Sequence, residues 1–311
     1  MIRLGAVGGG MVFNRYFAVA HRVGEIQITS LAETDLARAA YWHRQGCRVE
    51  GIDELLDDDL DAVMVLTPNA THGVLVKRCI ERGIHVLCEK PLALSAGEAQ
   101  DLFDLAASRD VILYPAMHVR HRPEIRYLLE RCANSVARIE QVWLEDWRQG
   151  PRWYRDSELS GGGVLLDVGV NHIDWMLSLI GDLTPGDATS TVAESGVEEE
   201  CAVTWHFATG FGRSELSWRT SPQRRRSVIR KTDGSTLVAD HDARSIDDNG
   251  KSRGPWNDDE YEAVLSDFKS VLNRTRPVDA DRTVRSLELI EEAYRLTGQS
   301  FFQCRGEGTT S

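Results

Sequence analysis

No two of the six cysteines (Cys47, Cys79, Cys88, Cys132, Cys201 and Cys304) stand at C-x-x-C spacing. That excludes the common zinc arrangements, and six scattered thiols in 311 residues make no disulfide framework. No metal site is expected. Several of the cysteines fall in apolar runs, where a free thiol acts as a small hydrophobe. Reduced thiols fit a cytoplasmic protein. No apolar run approaches the roughly 20 residues of a membrane helix. The first residues enter a strand without a basic segment and a long apolar segment, so no signal peptide is expected. Positive charge is scarce: 36 Lys+Arg against 48 Asp+Glu leave −12. Such a surface repels phosphate backbones and anionic membranes, so neither nucleic acid nor membrane is expected as a partner. The one dense basic run, Arg224-Arg225-Arg226, reads as a solvated turn or strand edge before it reads as a binding patch. Internal repeats and low-complexity segments are missing as well.

The residues present are globular in kind, 42 % apolar and 27 % charged, and the length suggests two domains. Up to about residue 117, apolar strands alternate with helices. The strands are Ile2–Val7, Ile26–Ala32, Asp61–Thr67, Ile84–Leu87 and Val111–Tyr114. The helices are Met11–Arg22, Leu36–Gln45, Ala70–Arg82 and one capped by Ser95 that runs to Ser108, with Glu98 completing a capping box. This alternation indicates βαβ units and a parallel sheet.

From residue 118 the pattern changes. A short helix and a long strand, Ile139–Trp147, lead to a loop rich in Arg, Trp and Gly and an apolar helix to Leu179. Strand-like runs then follow one another with turns between them, Asp233-Gly234 being a hairpin signal. Two helices, 258–273 and 281–297, close the chain, and a polar tail from Arg305 is expected to fray. Strands in succession indicate a largely antiparallel sheet. The fold class is therefore α/β: a Rossmann domain over 1–117 and an α+β domain with an open mixed sheet over 118–311.

Gly8-Gly9-Gly10 lies between the first strand and first helix, where bare backbone can approach a pyrophosphate held by the helix N-terminus. Gly8 and Gly10 fill the first two glycine places of a dinucleotide fingerprint, and Phe13 occupies the third. Met11 and Val12 open the helix and join the cofactor candidates. Glu33 ends the second strand about 20 residues on, where a carboxylate binds the adenosine ribose hydroxyls and repels a 2′-phosphate. No Arg follows it directly, so NAD is expected over NADP.

Cys88-Glu89-Lys90-Pro91 follows a strand and precedes a capped helix, with Thr67-Pro68-Asn69 and His72 upstream. These residues, with Arg120-x-x-Pro123, Trp153-Tyr154-Arg155-Asp156, Gly161-Gly162-Gly163-x-Leu165-x-Asp167-x-Gly169 and the closing Ala293-Tyr294, resemble the glucose–fructose oxidoreductase / inositol dehydrogenase (Gfo/Idh/MocA) family. The resemblance implies nicotinamide-dependent hydride transfer on a sugar, cyclitol or related polyol. It also implies dimers or tetramers formed through the open sheet face. It assigns Thr67, Pro68, Asn69, His72, Glu89 and Lys90 to the cofactor side, and Arg120, Trp153, Tyr154 and Asp167 to the substrate.

Chemistry supports the carry-over at Lys90. It stands beyond the carboxyl end of a parallel strand, where open α/β sheets bind ligands, and its ammonium can stabilise an alkoxide or polarise a ketone. Pro91 can hold a cis Lys90–Pro91 bond and so fix the Lys direction. Glu89 either touches the nicotinamide ribose or forms a structural ion pair. Asp167 can accept sugar hydroxyls. The resemblance breaks four residues later, where the family's catalytic His is replaced by Asn171. His172 follows, but on an α-helix it stands about 500° on, roughly 140° from Asp167, so it reads as a structural histidine before a relay. Lys90 then carries the proton chemistry alone, or with Tyr154, His118 or His172. Arg120, Arg122, Arg148, Arg152 and Arg155 either pair with an anionic substrate group or with the many carboxylates.

The expected activity is that of an NAD-dependent dehydrogenase or ketoreductase of a polyhydroxylated substrate. The alternatives are a non-catalytic dinucleotide- or sugar-binding homologue, and a reductase of the same fold acting on an imine or a double bond.

Overall fold

A computed structural model describes residues 1–133 and 135–298. Cys304 and the tail from Arg305 lie outside them. The chain forms two compact units, residues 1–121 with 258–284, and residues 122–257 with the segment from 285 onward. The division is not the single cut at 117/118 drawn from the sequence. The segment 258–284 clusters with the first unit although it lies far along the chain, and no local pattern announces such a return.

In the first unit, β1 (Ile2–Val7), α1 (Met11–Ala20), β2 (Ile26–Ala32), α2 (Leu36–Arg44), β3 (Arg48–Glu50), α3 (Ile52–Leu56), β4 (Ala62–Val65), α4 (His72–Glu81), β5 (His85–Glu89), α5 (Ala96–Ser108) and β6 (Leu113–Ala116) follow in order. The strands are parallel and lie in the order β3-β2-β1-β4-β5-β6. This is the doubly wound order, with its switch point between β1 and β4. Strands β4 and β6 are buried at every position, as a parallel sheet covered on both faces requires. Ser95 caps α5 by accepting from the Glu98 N–H at 3.1 Å, a contact worth about 1 kcal/mol. The Glu98 carboxylate reaches the Leu94 N–H, one residue beyond the reciprocal bond of a capping box. Helix α9 (Glu260–Leu272) completes this unit, with Val264, Leu265 and Phe268 in the same core as Leu4, Phe13 and Met64.

The second unit holds α6 (Pro123–Cys132), β7 (Val136–Asp146), α7 (Ser157–Ser160), α8 (Val170–Ile180), β8 (Leu183–Val192), β9 (Glu198–Phe207), β10 (Gly210–Ser217), β11 (Arg219–Lys231), β12 (Thr236–Asp240), β13 (Ser245–Asp248) and β14 (Lys251–Arg253), and the part of α10 (Ala280–Leu296) from Arg285. Its sheet runs β14-β13-β12-β11-β7-β10-β9-β8. Among the described residues only β7 and β10 pair in parallel, so the sheet is mixed and mostly antiparallel. On β7, Ile139, Gln141 and Trp143 are buried, while Arg138, Glu140 and Val142 alternate with them on the less buried face. The apolar stretch Ser157–Ile180 is long enough to span a bilayer, contrary to the sequence reading, but most of it is buried inside the protein. It is also broken at Gly161, a left-handed cap with φ 71°.

Candidate active site

At the β1–α1 turn the first unit leaves bare backbone open, the form of a phosphate cradle. Gly8 has φ +99°, and a Cβ there would stand 2.9 Å from the Leu66 carbonyl oxygen. A Cβ on Gly10 would meet nothing within 4 Å, so the space above the turn is open. Gly10 is also the N-cap of α1 and offers no side chain to the first N–H groups. Bare donors facing open space are what a pyrophosphate needs. Phe13, at the third glycine place, lies edge-on to Trp42 at 4.7 Å. The bulk that would widen a helix–strand contact is taken up by this aromatic packing. Met11 is exposed and Val12 partly buried at the start of the helix.

Glu33, one residue past the end of β2 rather than on it, closes the turn. Its Oε2 accepts from the Gly9 N–H at 2.8 Å, and its Oε1 from the Asp35 N–H at 2.7 Å. Arg38, in the first turn of α2, adds Nε to Oε2 at 3.0 Å and Nη2 to Oε1 at 3.2 Å. Burial pushes the Glu33 carboxyl up, but Arg38 and the two N–H donors outweigh it and hold the pKa below the usual range. Trp42 Nε1 donates to the Gly9 carbonyl at 2.7 Å. Sequence reasoning missed both Arg38 and Trp42. Arg38 had a signal, a cation five residues past the carboxylate; Trp42 had none.

The turns after β4 and β5 are tied together by His72. Its Nδ1 lies 2.7 Å from the Pro91 carbonyl and its Nε2 2.8 Å from that of Thr67. Burial, with the Lys90 charge beside it, holds the ring below its ordinary pKa, so the neutral ring donates to one carbonyl. His72 therefore acts on the site by holding the two loops. Thr67 Oγ1 shares a 2.6 Å bond with Thr71 Oγ1. Pro68 caps the one-turn helix Asn69–Thr71, in which Asn69 is buried. Glu89 is buried, accepts from the Tyr16 hydroxyl at 2.9 Å and from the Lys90 N–H at 3.2 Å. The Lys90–Pro91 peptide is cis, as the sequence suggested. Lys90 itself is half-buried at the carboxyl end of β5, on the same sheet edge as the cradle. Arg120 lies on the short helix His118–His121, and the His118 ring stacks on Tyr261.

In the second unit, Asp167 lies in a π-helical turn, Leu165–Gly169, that runs directly into α8. A π turn closes on the fifth residue instead of the fourth. The uniform 100° step used for Asn171 and His172 therefore does not hold here. Asn171 is buried, and its Oδ1 has no hydrogen-bond partner among the described residues. An orphan acceptor of this kind costs about 1–3 kcal/mol. His172 is buried edge-on to Trp143 at 4.9 Å. Burial first, then the charges of His241 and Arg122, push its pKa down to about 3. It is a neutral ring packed on the sheet.

The arginines in question are largely committed to carboxylates. Arg122 Nε lies 2.8 Å from Glu124, Arg148 Nε donates to Asp146 at 2.9 Å, and Arg155 stands 3.7 Å from Glu199. Arg152 is exposed. Trp153 and Tyr154 stack at 3.9 Å, and Tyr154 meets Trp218 edge-on at 5.6 Å, forming an aromatic surface in the loop before Asp167. Glu124, His241 and Ser227 line up as a Ser–His–Glu relay, with Ser227 Oγ 2.9 Å from His241 Nε2 and His241 Nδ1 3.1 Å from Glu124. All three are buried, so the hydroxyl is closed to any substrate and the relay is structural. Among the described residues no cluster suits a metal ion.

Residues 2–117 match the family model described as the oxidoreductase family with an NAD-binding Rossmann fold, that of Gfo/Idh/MocA, and residues 135–237 match the model of its C-terminal domain. The chain is similar to a 1,5-anhydro-D-fructose reductase of Ensifer adhaerens, 29 % identical over 64 % of this chain and 62 % of that protein. The matched stretch is thus under two thirds of that relative's length. It is also similar to a scyllo-inositol 2-dehydrogenase (NADP(+)) of Bacillus subtilis, 25 % identical over 76 % of each. Its fold is that of GenD2 from gentamicin A biosynthesis, solved in complex with NAD, with a TM-score of 0.83 at 24 % identity over 96 % of this chain and 94 % of that one.

Proposed function

Because the chain belongs to the Gfo/Idh/MocA family of oxidoreductases, we propose that it transfers a hydride between a nicotinamide and a carbinol or ketone carbon of a sugar, cyclitol or related polyol. The observation that carries the proposal is the position of Lys90, just past β5 on the sheet edge that also holds the Gly8–Gly10 turn. Bound nicotinamide supplies the hydride chemistry. The chain's residues do the rest. Lys90 Nζ holds the proton at the reacting oxygen, giving it up as a ketone is reduced and taking it as an alcohol is oxidised. Asp167 accepts sugar hydroxyls. Asn171 Oδ1, buried and unpaired among the described residues, gains a partner when a substrate hydroxyl donates to it.

NAD is the proposed cofactor, on the strength of the Glu33 carboxylate at the ribose end of the cradle. The buried free cysteines support a reducing compartment, and we place the chain in the cytoplasm. The net charge of −12 supports a small-molecule substrate over a polyanionic partner. A second copy is proposed to cover the face of the eight-stranded sheet that carries Arg138 and the half-exposed Phe211. Light scattering tests this: a monomer at micromolar concentration would refute it.

The test of the function is absorbance at 340 nm with NAD and NADH against a panel of polyols, cyclitols and their ketoses. Turnover on one of them is expected. A folded protein that binds NAD and turns over none of them would assign it to the non-catalytic reading.

A further inference from the structure

Glu198 opens β9 and is buried, yet it lies outside every motif that marks the site. Its carboxylate is surrounded by donors. The Gly163 N–H points between both oxygens at 2.9 Å, and the Leu165 N–H reaches Oε1 at 3.1 Å. The Tyr294 hydroxyl, from α10, donates to Oε1. Gly163 and Leu165 lie at the start of the helical segment, where N–H groups have no partner within the helix. A carboxylate from a strand more than 30 residues away thus does the work of a cap.

The same contact explains the third glycine of Gly161-Gly162-Gly163. A Cβ on Gly163 would collide with the Glu198 carbonyl oxygen and stand 2.6 Å from its carboxyl carbon. The glycine admits the carboxylate. Gly163 passes the constraint on, since its carbonyl accepts from the Asp167 N–H at 3.0 Å. Glu198 fixes Gly163, and Gly163 fixes the backbone of Asp167.

We propose that Glu198 is the positioning residue for Asp167, its ionised carboxylate holding the first turn of the π segment so that Asp167 presents its oxygens to the substrate. The proposal rests on the substrate role assigned to Asp167 above. The ionised form accepts all the donors at once, whereas a proton on Oε1 or Oε2 removes an acceptor site. Burial pushes the Glu198 pKa up to about 7 against the pull of Tyr294 and the N–H donors. Tyr294 of α10 and Cys201 of β9 are the titratable groups acting across this site, and both are themselves pushed up, so both are neutral when Glu198 ionises.

The experiment compares wild type, Glu198→Gln and Tyr294→Phe by amide hydrogen exchange at Gly163, Leu165 and Asp167, and by kcat/KM against pH on the best substrate of the panel. In wild type, protection at these amides and kcat/KM should both rise as pH passes through the Glu198 ionisation. Glu198→Gln should remove that step from both. It should lower kcat/KM by up to about 10²-fold, the size of a misplacement of about 1 Å, while NAD affinity by calorimetry stays unchanged. Tyr294→Phe removes a donor to the ionised form, so the step should move to higher pH; it also decides the matter should Glu198→Gln fail to fold. A step that persists in Glu198→Gln, or fails to move in Tyr294→Phe, overturns the proposal. If the protein turns over nothing, the exchange arm still decides about Glu198, and the lost reading is the proposed activity.

Discussion

The Glu33 carboxylate and the Arg38 guanidinium meet in a two-pronged pair, Nε to Oε2 at 3.0 Å and Nη2 to Oε1 at 3.2 Å, and Glu33 also holds the Gly9 N–H. A cation is thus parked against the carboxylate proposed to repel a 2′-phosphate. Replacing Glu33 with Ser removes the repulsion and frees Arg38 for a phosphate, the residue type that NADP sites use there. Glu33→Ser should weaken NAD and tighten NADP, narrowing the gap by about tenfold or more, the effect of one charged contact of about 1.4 kcal/mol. Arg38→Ala should weaken NADP further in either background. Calorimetry on the four proteins checks this, and a wild type that prefers NADP would sink it.

Lys90→Met should abolish turnover while NAD affinity stays within a few-fold. The contacts proposed for the pyrophosphate and the adenosine ribose come from the Gly8–Gly10 turn and Glu33, and neither involves the Lys90 side chain. Undiminished turnover in Lys90→Met would overturn the proton role of this residue.

His172 should matter to stability and little to chemistry. Its ring fills space against Trp143, so His172→Ala leaves a cavity and should cost on the order of 3 kcal/mol in denaturant unfolding. Its folded pKa, about 3, lies below the unfolded value near 6.5. The unfolded chain therefore takes up the proton first. This contribution is fully present above about pH 6.5 and is lost as pH falls toward 3, at up to about 1.4 kcal/mol per pH unit. His172→Phe keeps the volume and should flatten that part of the profile. A fall in kcat of the roughly 10²–10⁴-fold expected for a general acid–base group would restore the relay reading.

Much of the first unit was legible because its strands are short apolar runs between helices of ordinary length, and Ile2–Val7 and Ile26–Ala32 have the bounds read from the sequence. Strand β3 and helix α3 are three and five residues long, too short to carry a period. The Gly-rich turn, Glu33 and Lys90 were legible as motif residues, since each type has a local reason to be where it is. Arg38, Glu198 and Tyr294 act through partners five to 96 residues away, and sequence alone does not state such pairings. The π turn was illegible for another reason: an unpaired i→i+4 bond leaves no mark on composition. That one turn removes the basis for calculating which of Asn171 and His172 shares a face with Asp167.

Asn171→His tests what remains of that question. Asn171 is buried with its Oδ1 unpaired among the described residues, at the place where the resemblance puts a histidine. Asn can accept a hydroxyl proton's hydrogen bond but cannot take the proton. In the proposed mechanism Asn171 leaves the proton transfer to Lys90, and the pH dependence of kcat/KM should show the Glu198 ionisation. If position 171 takes the substrate contact proposed for it, a histidine there adds a second titratable group to the chemistry. It should introduce a new step in the kcat profile and raise the rate at neutral pH, by about 10²-fold where proton transfer limits turnover. The larger ring also replaces the orphan oxygen by a nitrogen that can be either donor or acceptor. The control is Asn171→Leu, close in size and unable to bond. It should bind NAD normally and weaken substrate binding, because only the substrate contact is lost. If Asn171→Leu retains full kcat/KM and Asn171→His shows neither a new step nor a changed rate, position 171 lies outside the chemistry and the substrate role of its orphan oxygen falls.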